Sequence, residues 1–202
     1  MRLAPHAAPH NTLQEILQQP LLWPITLGGV RAASERLQLP ARLQQARVLL
    51  TGAGTSAYAA SAIATAWPRA VAVPTTDLLA DAERYLCDVD AVISLARSGD
   101  SPESAAVVER VRALRPDILQ LAIVCNENGA LSHAELDGLI VLDPRTNEQS
   151  LVMTSSFPNL VLAGLVLAQP DAVAATVDVQ QARRRIVARD RSSMLAPGGS
   201  RP

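Results

Sequence analysis

Five short runs of consecutive apolar residues punctuate the middle of the chain. They are Arg47-Val-Leu-Leu-Thr51, Ala70-Val-Ala-Val73, Ala91-Val-Ile-Ser-Leu95, Ile118–Cys125 and Leu139-Ile-Val-Leu142. None alternates apolar with polar positions, so each reads as a strand covered on both faces. Between them lie segments with helical patterning: Ser56–Trp67, Asp77–Leu86, Pro102–Leu114 and a short one near Ala130–Leu136. A long apolar helix is predicted over residues 151–168. Buried strands separated by helices predict a parallel sheet, and right-handed crossovers place helices on both of its faces. The expected architecture is therefore an α/β fold, a three-layer α/β/α sandwich on a five-stranded parallel sheet.

Two helices precede the sheet. Thr12-Leu-Gln-Glu15 fits a capping box opening a short helix that Pro20 stops. A second helix is predicted from about Pro24 to Leu39, with Pro40 ending it. The chain thus divides into an arm with an N-terminal helical extension (residues 1–45), an α/β domain (46–170) and a C-terminal helix with a disordered tail (171–202). Within that last part Arg183-Arg-Arg185 reads as the solvated face of a helix, and Met194–Pro202 as the tail.

Composition narrows the chemistry. All 18 basic residues are arginine, which removes Schiff-base and P-loop lysine mechanisms. A formal net charge of −1 and 2% aromatic residues argue against a nucleic-acid partner. The longest greasy stretch, Leu160–Ala168, is too short for a membrane span, and the first residues form no secretory leader, so a cytoplasmic location is expected. His6, His10 and His133 are too scattered for a zinc site, so no metal is expected. Cys87 and Cys125 both read as small buried hydrophobes.

In a parallel α/β sheet ligands bind beyond the carboxyl ends of the strands. Two loops there stand out: Thr51-Gly-Ala-Gly-Thr-Ser-Ala57 and Ala96-Arg-Ser-Gly-Asp-Ser-Pro-Glu-Ser104. Each leaves a strand and enters a helix. Glycine admits close backbone approach, helix N-termini offer free N–H groups, and hydroxyls add uncharged donors. A plain helix start, with Ser101 capping, Pro102 first and Glu103 favouring the dipole, accounts for part of the second loop. It does not account for Ser98, Ser101 and Ser104 clustering with Arg97 and Gly99. Together the loops describe a phosphate grip. The first alone also reads as Gly52-x-Gly54-x-x-Ala57 with Asp77 downstream, a weak dinucleotide fingerprint and a less favoured alternative.

With both loops in hand, the chain resembles the sugar isomerase (SIS) domain family, whose sheet is flavodoxin-like. More narrowly it resembles the tagatose-6-phosphate ketose/aldose isomerase group, also described as galactosamine-6-phosphate deaminase/isomerase. The likeness rests on Leu50–Ala57, Val73-Pro-Thr-Thr-Asp77, Ala96–Ser104 and Thr146–Phe157, in that order. It implies a phosphorylated sugar or amino sugar as ligand, held by Ser56, Ser98 and Ser101. Gly54, Thr55, Arg97 and Gly99 would contribute, and Thr154 and Ser155 would touch the sugar. The family's first serine of the second loop falls on Ala96 here. The group carries two such domains in tandem, so the resemblance implies that only the first is present in a truncated chain, and that a homodimer completes the site.

Aldose–ketose isomerisation moves a proton between C1 and C2, and deamination uses the same shuttle; neither needs a metal or cofactor. Glu148 is the first candidate for the base, ahead of His133, while Glu103 reads as a dipole partner. The expected function is a phosphosugar isomerase or amino-sugar-phosphate deaminase. The alternative is a phosphosugar-binding module without catalysis.

Overall fold

The structure is a computed structural model of the 202-residue chain and describes residues 11–173. His6, His10, the Arg183–Arg185 cluster and the tail lie outside the described residues. Five strands form one sheet: β1 (Val48–Gly52), β2 (Ala70–Ala72), β3 (Ala91–Ala96), β4 (Leu119–Val124) and β5 (Gly138–Val141). Every pairing is parallel and the order is β2-β1-β3-β4-β5. Helices α1 (Asn11–Arg36), α2 (Leu39–Leu43), α3 (Thr55–Ala64) and α7 (Ser156–Ala168) cover one face. Helices α4 (Thr75–Ala80), α5 (Ala82–Leu86) and α6 (Pro102–Leu114) cover the other.

The expected sandwich and its five parallel strands are present. The central strands β1 and β3 are buried throughout, Thr51 and Ser94 included, as their mainly apolar, non-alternating runs require. Leu50 and Ile93, paired in register, face α3 and α7; Leu49 and Val92 face α4 and α6. Burying such a side chain contributes about 1.5–3 kcal/mol, so the sheet and its two covers form as one unit.

Several boundaries differ from the sequence reading. Residues 11–36 form a single helix running through Pro20 and Pro24. Each proline deletes one intrahelical N–H, but the buried side chains of Leu22, Thr26, Val30 and Ala33 recur every three or four residues, with Glu15 two turns before them, and seat the helix on α7. Packing along the whole face outweighs the missing bonds. Pro40 opens the short α2 instead of closing a helix, after Gln38 reverses the chain in the left-handed region (φ 54°). Residues 77–86 split at Asp81 into α4 and α5. Ala130–His133 is a single 3-10 turn. Residues 151–155 form a loop, so α7 begins only at Ser156. Cys125 is buried, but Cys87 is exposed: Leu86 takes the core position, and the next helical position faces out.

A buried polar contact crosses the α1–α7 interface. The Thr26 hydroxyl donates to Asn159 Oδ1 at 2.7 Å with both residues buried. Asn159→Ala leaves that hydroxyl without a partner and should lower the unfolding free energy by about 1–3 kcal/mol. A urea titration should show a lower midpoint at unchanged slope; an unchanged midpoint would contradict the contact.

Candidate functional site

The chain reverses its direction of winding between β1 and β3, so the helices that follow these strands leave toward opposite faces. A crevice opens where they part. The first wall is the turn after β1. A Cβ on Gly52 would lie 2.7 Å from the Ser56 carbonyl carbon, so only glycine lets the first turn of α3 sit this close to the strand end. That approach fixes Ser56, which is buried, beside the crevice. Gly54 occupies the N-cap position of α3, and no side chain caps that helix.

The second wall is the turn after β3. Gly99 has φ +74°, the left-handed backbone that favours glycine. The turn is braced from behind by the segment after β4. Asn126 Nδ2 donates to Ser98 O at 3.0 Å, and Leu131 N donates to Gly99 O at 2.9 Å. Ser101 stands at the N-cap of α6, as expected, but its hydroxyl makes no capping hydrogen bond. Ser98 Oγ accepts from Asp100 N at 3.3 Å, which leaves its own proton free to donate elsewhere. Both helices therefore reach the crevice without a side-chain cap, an arrangement that favours an anion.

A third segment, residues 147–156, passes over the crevice, and two buried carboxylates hold it. Glu148 accepts from Ser155 N at 3.0 Å, Ser156 N at 2.5 Å and Ser156 Oγ at 2.5 Å, and so caps α7. The Oε1 that accepts from the Ser156 hydroxyl also lies 4.0 Å from Arg97 Nη1. Arg97 also donates to Ser150 O at 3.3 Å. Glu15, from α1, accepts from Gln149 N at 3.0 Å, from Ser150 N at 3.2 Å, from the Ser150 hydroxyl and from Thr154 Oγ1 at 3.3 Å. Burial alone would push the Glu15 carboxyl up, but the hydrogen bonds from Ser150, Gln149 and Thr154 outweigh it and hold it below its ordinary value of 4.5. Cys125 lies behind this cluster. Desolvation pushes its thiol up to about 12, with the Thr146 contact opposing and the Glu148 charge adding to the rise, so it stays an inert thiol.

These segments enclose a cavity of about 160 Å³. Thr55, Ser56, Arg97, Ser98, Gly99 and Ser101 all line it, joined by Ser104, Leu151 and Met153. Of the other expected residues, Gly54 and Thr154 are next to lining residues in sequence and Ser155 is one position further, but none of them is in the lining. Ser155 is fully buried; its hydroxyl donates to Glu15 O and accepts from Gln18 Nε2. Glu148 is buried behind Arg97, His133 is exposed on the 3-10 turn after β4, and Glu103 and Asp77 lie outside the lining. Glu15 was legible only as half of a capping box; its side chain instead reaches residues 149–154. A larger cavity of about 680 Å³ opens at the amino ends of the strands, among Glu35, Leu39, Leu43, Trp67 and Val166. It is remote from both glycine turns and, with Ser34 the one hydroxyl residue in its lining, offers no cluster of hydroxyls, so it is not the candidate site.

Because the folded-state pKa of Glu15 is depressed, its contribution to stability is present above the unfolded value and is lost as pH falls through the folded one. The stability gap between the native chain and Glu15→Gln should therefore be open at about pH 7 and shrink toward about pH 3 in urea titrations. A gap that does not change with pH would contradict the assignment.

No family model matches the chain. A Streptomyces coelicolor protein named AgaS is 37% identical over 178 residues, covering 80% of this chain and 46% of its own length. The D-galactosamine-6-phosphate deaminase AgaS of Shewanella is 34% identical over 195 residues, 88% of this chain and 50% of that protein. The crystal structure of tagatose-6-phosphate ketose/aldose isomerase from Escherichia coli superposes with a TM-score of 0.75 at 32% identity, covering 86% of this chain and 51% of that one. The chain spans about half the length of the relatives it matches. Similar sequence and superposable fold over more than four-fifths of its length place the glycine turns in a known setting. Over four-fifths or more of its own length the chain is thus a relative of galactosamine-6-phosphate deaminases and tagatose-6-phosphate ketose/aldose isomerases, proteins of the sugar isomerase (SIS) type.

Proposed function

We propose that this chain grips the phosphate of a hexose 6-phosphate or amino-hexose 6-phosphate, and serves an isomerase or deaminase of the kind its relatives are named for. The convergence of Thr55, Ser56, Ser98 and Ser101 with Arg97 on one cavity carries the reading. A phosphate there meets hydroxyl donors, the open N-termini of α3 and α6, and one guanidinium. Arg97 supplies the charge, and Glu148 acts through it as a positioning residue that also fixes the start of α7. A cavity of about 160 Å³ is smaller than the roughly 300–1,000 Å³ that encloses a whole small ligand. It suits the phosphate end, with the sugar extending past Leu151. A cytoplasmic location and a homodimer belong to the same reading. No helix among the described residues is long and apolar enough to cross a membrane.

A second reading, a phosphosugar-binding module without turnover, is favoured by one observation. Among the described residues that line the cavity there is no carboxylate and no imidazole to move a proton between C1 and C2. Turnover of galactosamine 6-phosphate or tagatose 6-phosphate by the purified chain separates the two readings.

Both readings share one test. Each hydrogen bond to a charged phosphate is worth about 1.5–3 kcal/mol, so Ser98→Ala with Ser101→Ala should weaken binding of either sugar phosphate by roughly 100-fold or more in calorimetry. Equal affinity in the native chain and the double variant would sink the phosphate grip.

A further inference from the structure

Residues 147–154 roof the cavity, with Leu151 and Met153 in its lining, yet the core does little to hold them. They belong to no helix or strand, and Glu148 is the one buried residue among them. Leu151 is 97% exposed and Val152 61%. Apolar burial therefore does not fix where this segment stands, and hydrogen bonds must.

The longest-range of those bonds come from one face of α1. Glu15, Gln18 and Gln19 stand at i, i+3 and i+4, so their side chains leave the helix on the same side. Gln18 Nε2 donates to Arg145 O at 3.1 Å and to Ser155 Oγ at 3.0 Å, and Gln19 Nε2 donates to Thr154 O. Glu15 takes the middle of the segment, and Ser150 is the node. The Ser150 amide and hydroxyl both donate to the Glu15 carboxylate. The carbonyl of the same residue accepts from Arg97 Nη1 at 3.3 Å. A buried carboxylate, one loop residue and the guanidinium of the cavity thus form one connected chain. Farther along α1, Leu22, Val30 and Ala33 seat the helix on α7 without polar help. Holding the helix down therefore does not require a buried carboxylate at position 15, where an apolar residue would avoid the cost of desolvation.

We infer that Glu15 is a positioning residue for the phosphate grip: through Ser150 it sets where the Arg97 guanidinium stands against the cavity. Arg97 carries the one positive charge among the described lining residues. Its side chain is 32% exposed, so its own burial does not select one place for it. Glu148 Oε1 at 4.0 Å and Ser150 O at 3.3 Å anchor Nη1. Glu148 is fixed by its bonds to the start of α7. Ser150 stands where Glu15 holds it. Without that carboxylate the Ser150 hydroxyl keeps only Val152 O, its amide has no partner in the protein, and the carbonyl that Arg97 donates to is free to drift. Leu151, the next residue and part of the lining, moves with it. The role rests on the proposed phosphate grip and adds a residue 82 positions away from Arg97 in sequence that never touches the ligand.

In the ligand-free chain, Glu15→Ala should speed hydrogen exchange at the Gln149 and Ser150 amides by roughly tenfold or more and shift the Arg97 Nε–H resonance, while amides of β1 and β3 keep native protection. With galactosamine 6-phosphate in calorimetry, Glu15→Ala should weaken binding roughly tenfold, the scale of one coupled contact. Arg97→Met combined with Glu15→Ala should bind within about twofold of Arg97→Met alone, because both residues act on one contact. Ser150→Ala is the second variant. The position is only partly buried, so the fold holds, and loss of the hydroxyl should weaken binding roughly threefold alone and not at all beside Arg97→Met. An unmoved Arg97 resonance in Glu15→Ala, native affinity in both variants, or losses that multiply with that of Arg97→Met would overturn the inference. A native chain that binds no sugar phosphate overturns the phosphate grip instead, and the exchange rates and the Arg97 resonance then decide the positioning by themselves.

Discussion

The reversal of strand order between β1 and β3 is the constraint on which the rest depends. A parallel sheet buried on both faces must send its connections to one cover or the other. Here α3 goes to one face and α6 to the opposite one, so their first turns part above the sheet. The gap between them cannot be filled by strand or helix, and turns with small residues line it. Gly52 brings α3 down onto the strand end, and Gly99 turns the chain into α6. Each feature is local, but only the strand order brings the two together.

The segment over the crevice is held by a different device. Burying a carboxylate is costly unless hydrogen bonds replace its water. Glu15 and Glu148 both meet that condition, and both spend their acceptors on residues 149–156. One carboxylate comes from α1 and the other from the segment itself, so the roof is tied to a helix 134 residues away in sequence as well as to α7. Arg97 stands between the Glu148 charge and the cavity. A site that would meet an anion thus keeps its own anionic groups behind a cation and within closed hydrogen-bond sets.

What could be read from the chain follows this division between local and distant causes. The strands and both loops were legible because apolar runs, glycine turns and the Ser101-Pro102 helix start are written within a few residues. Pro20 misled because a proline's local cost is fixed, whereas the packing of Leu22, Thr26 and Val30 on α7 depends on contacts more than a hundred residues distant. Glu148 stood out as a carboxylate near the sugar end, but its hydrogen bonds to Ser155 and Ser156 depend on α7 starting five residues later than the apolar pattern suggested. Cys87 follows two apolar neighbours and faces outward, because a helical turn changes face at every residue.

If hydroxyls from both strand-end turns meet on one phosphate, a crystal structure of the chain with galactosamine 6-phosphate will hold the phosphorus between the two turns, its oxygens within about 3 Å of the Ser56 and Ser98 hydroxyls at once. A phosphate bound at the amino ends of the strands, or touching one turn alone, would contradict that grip.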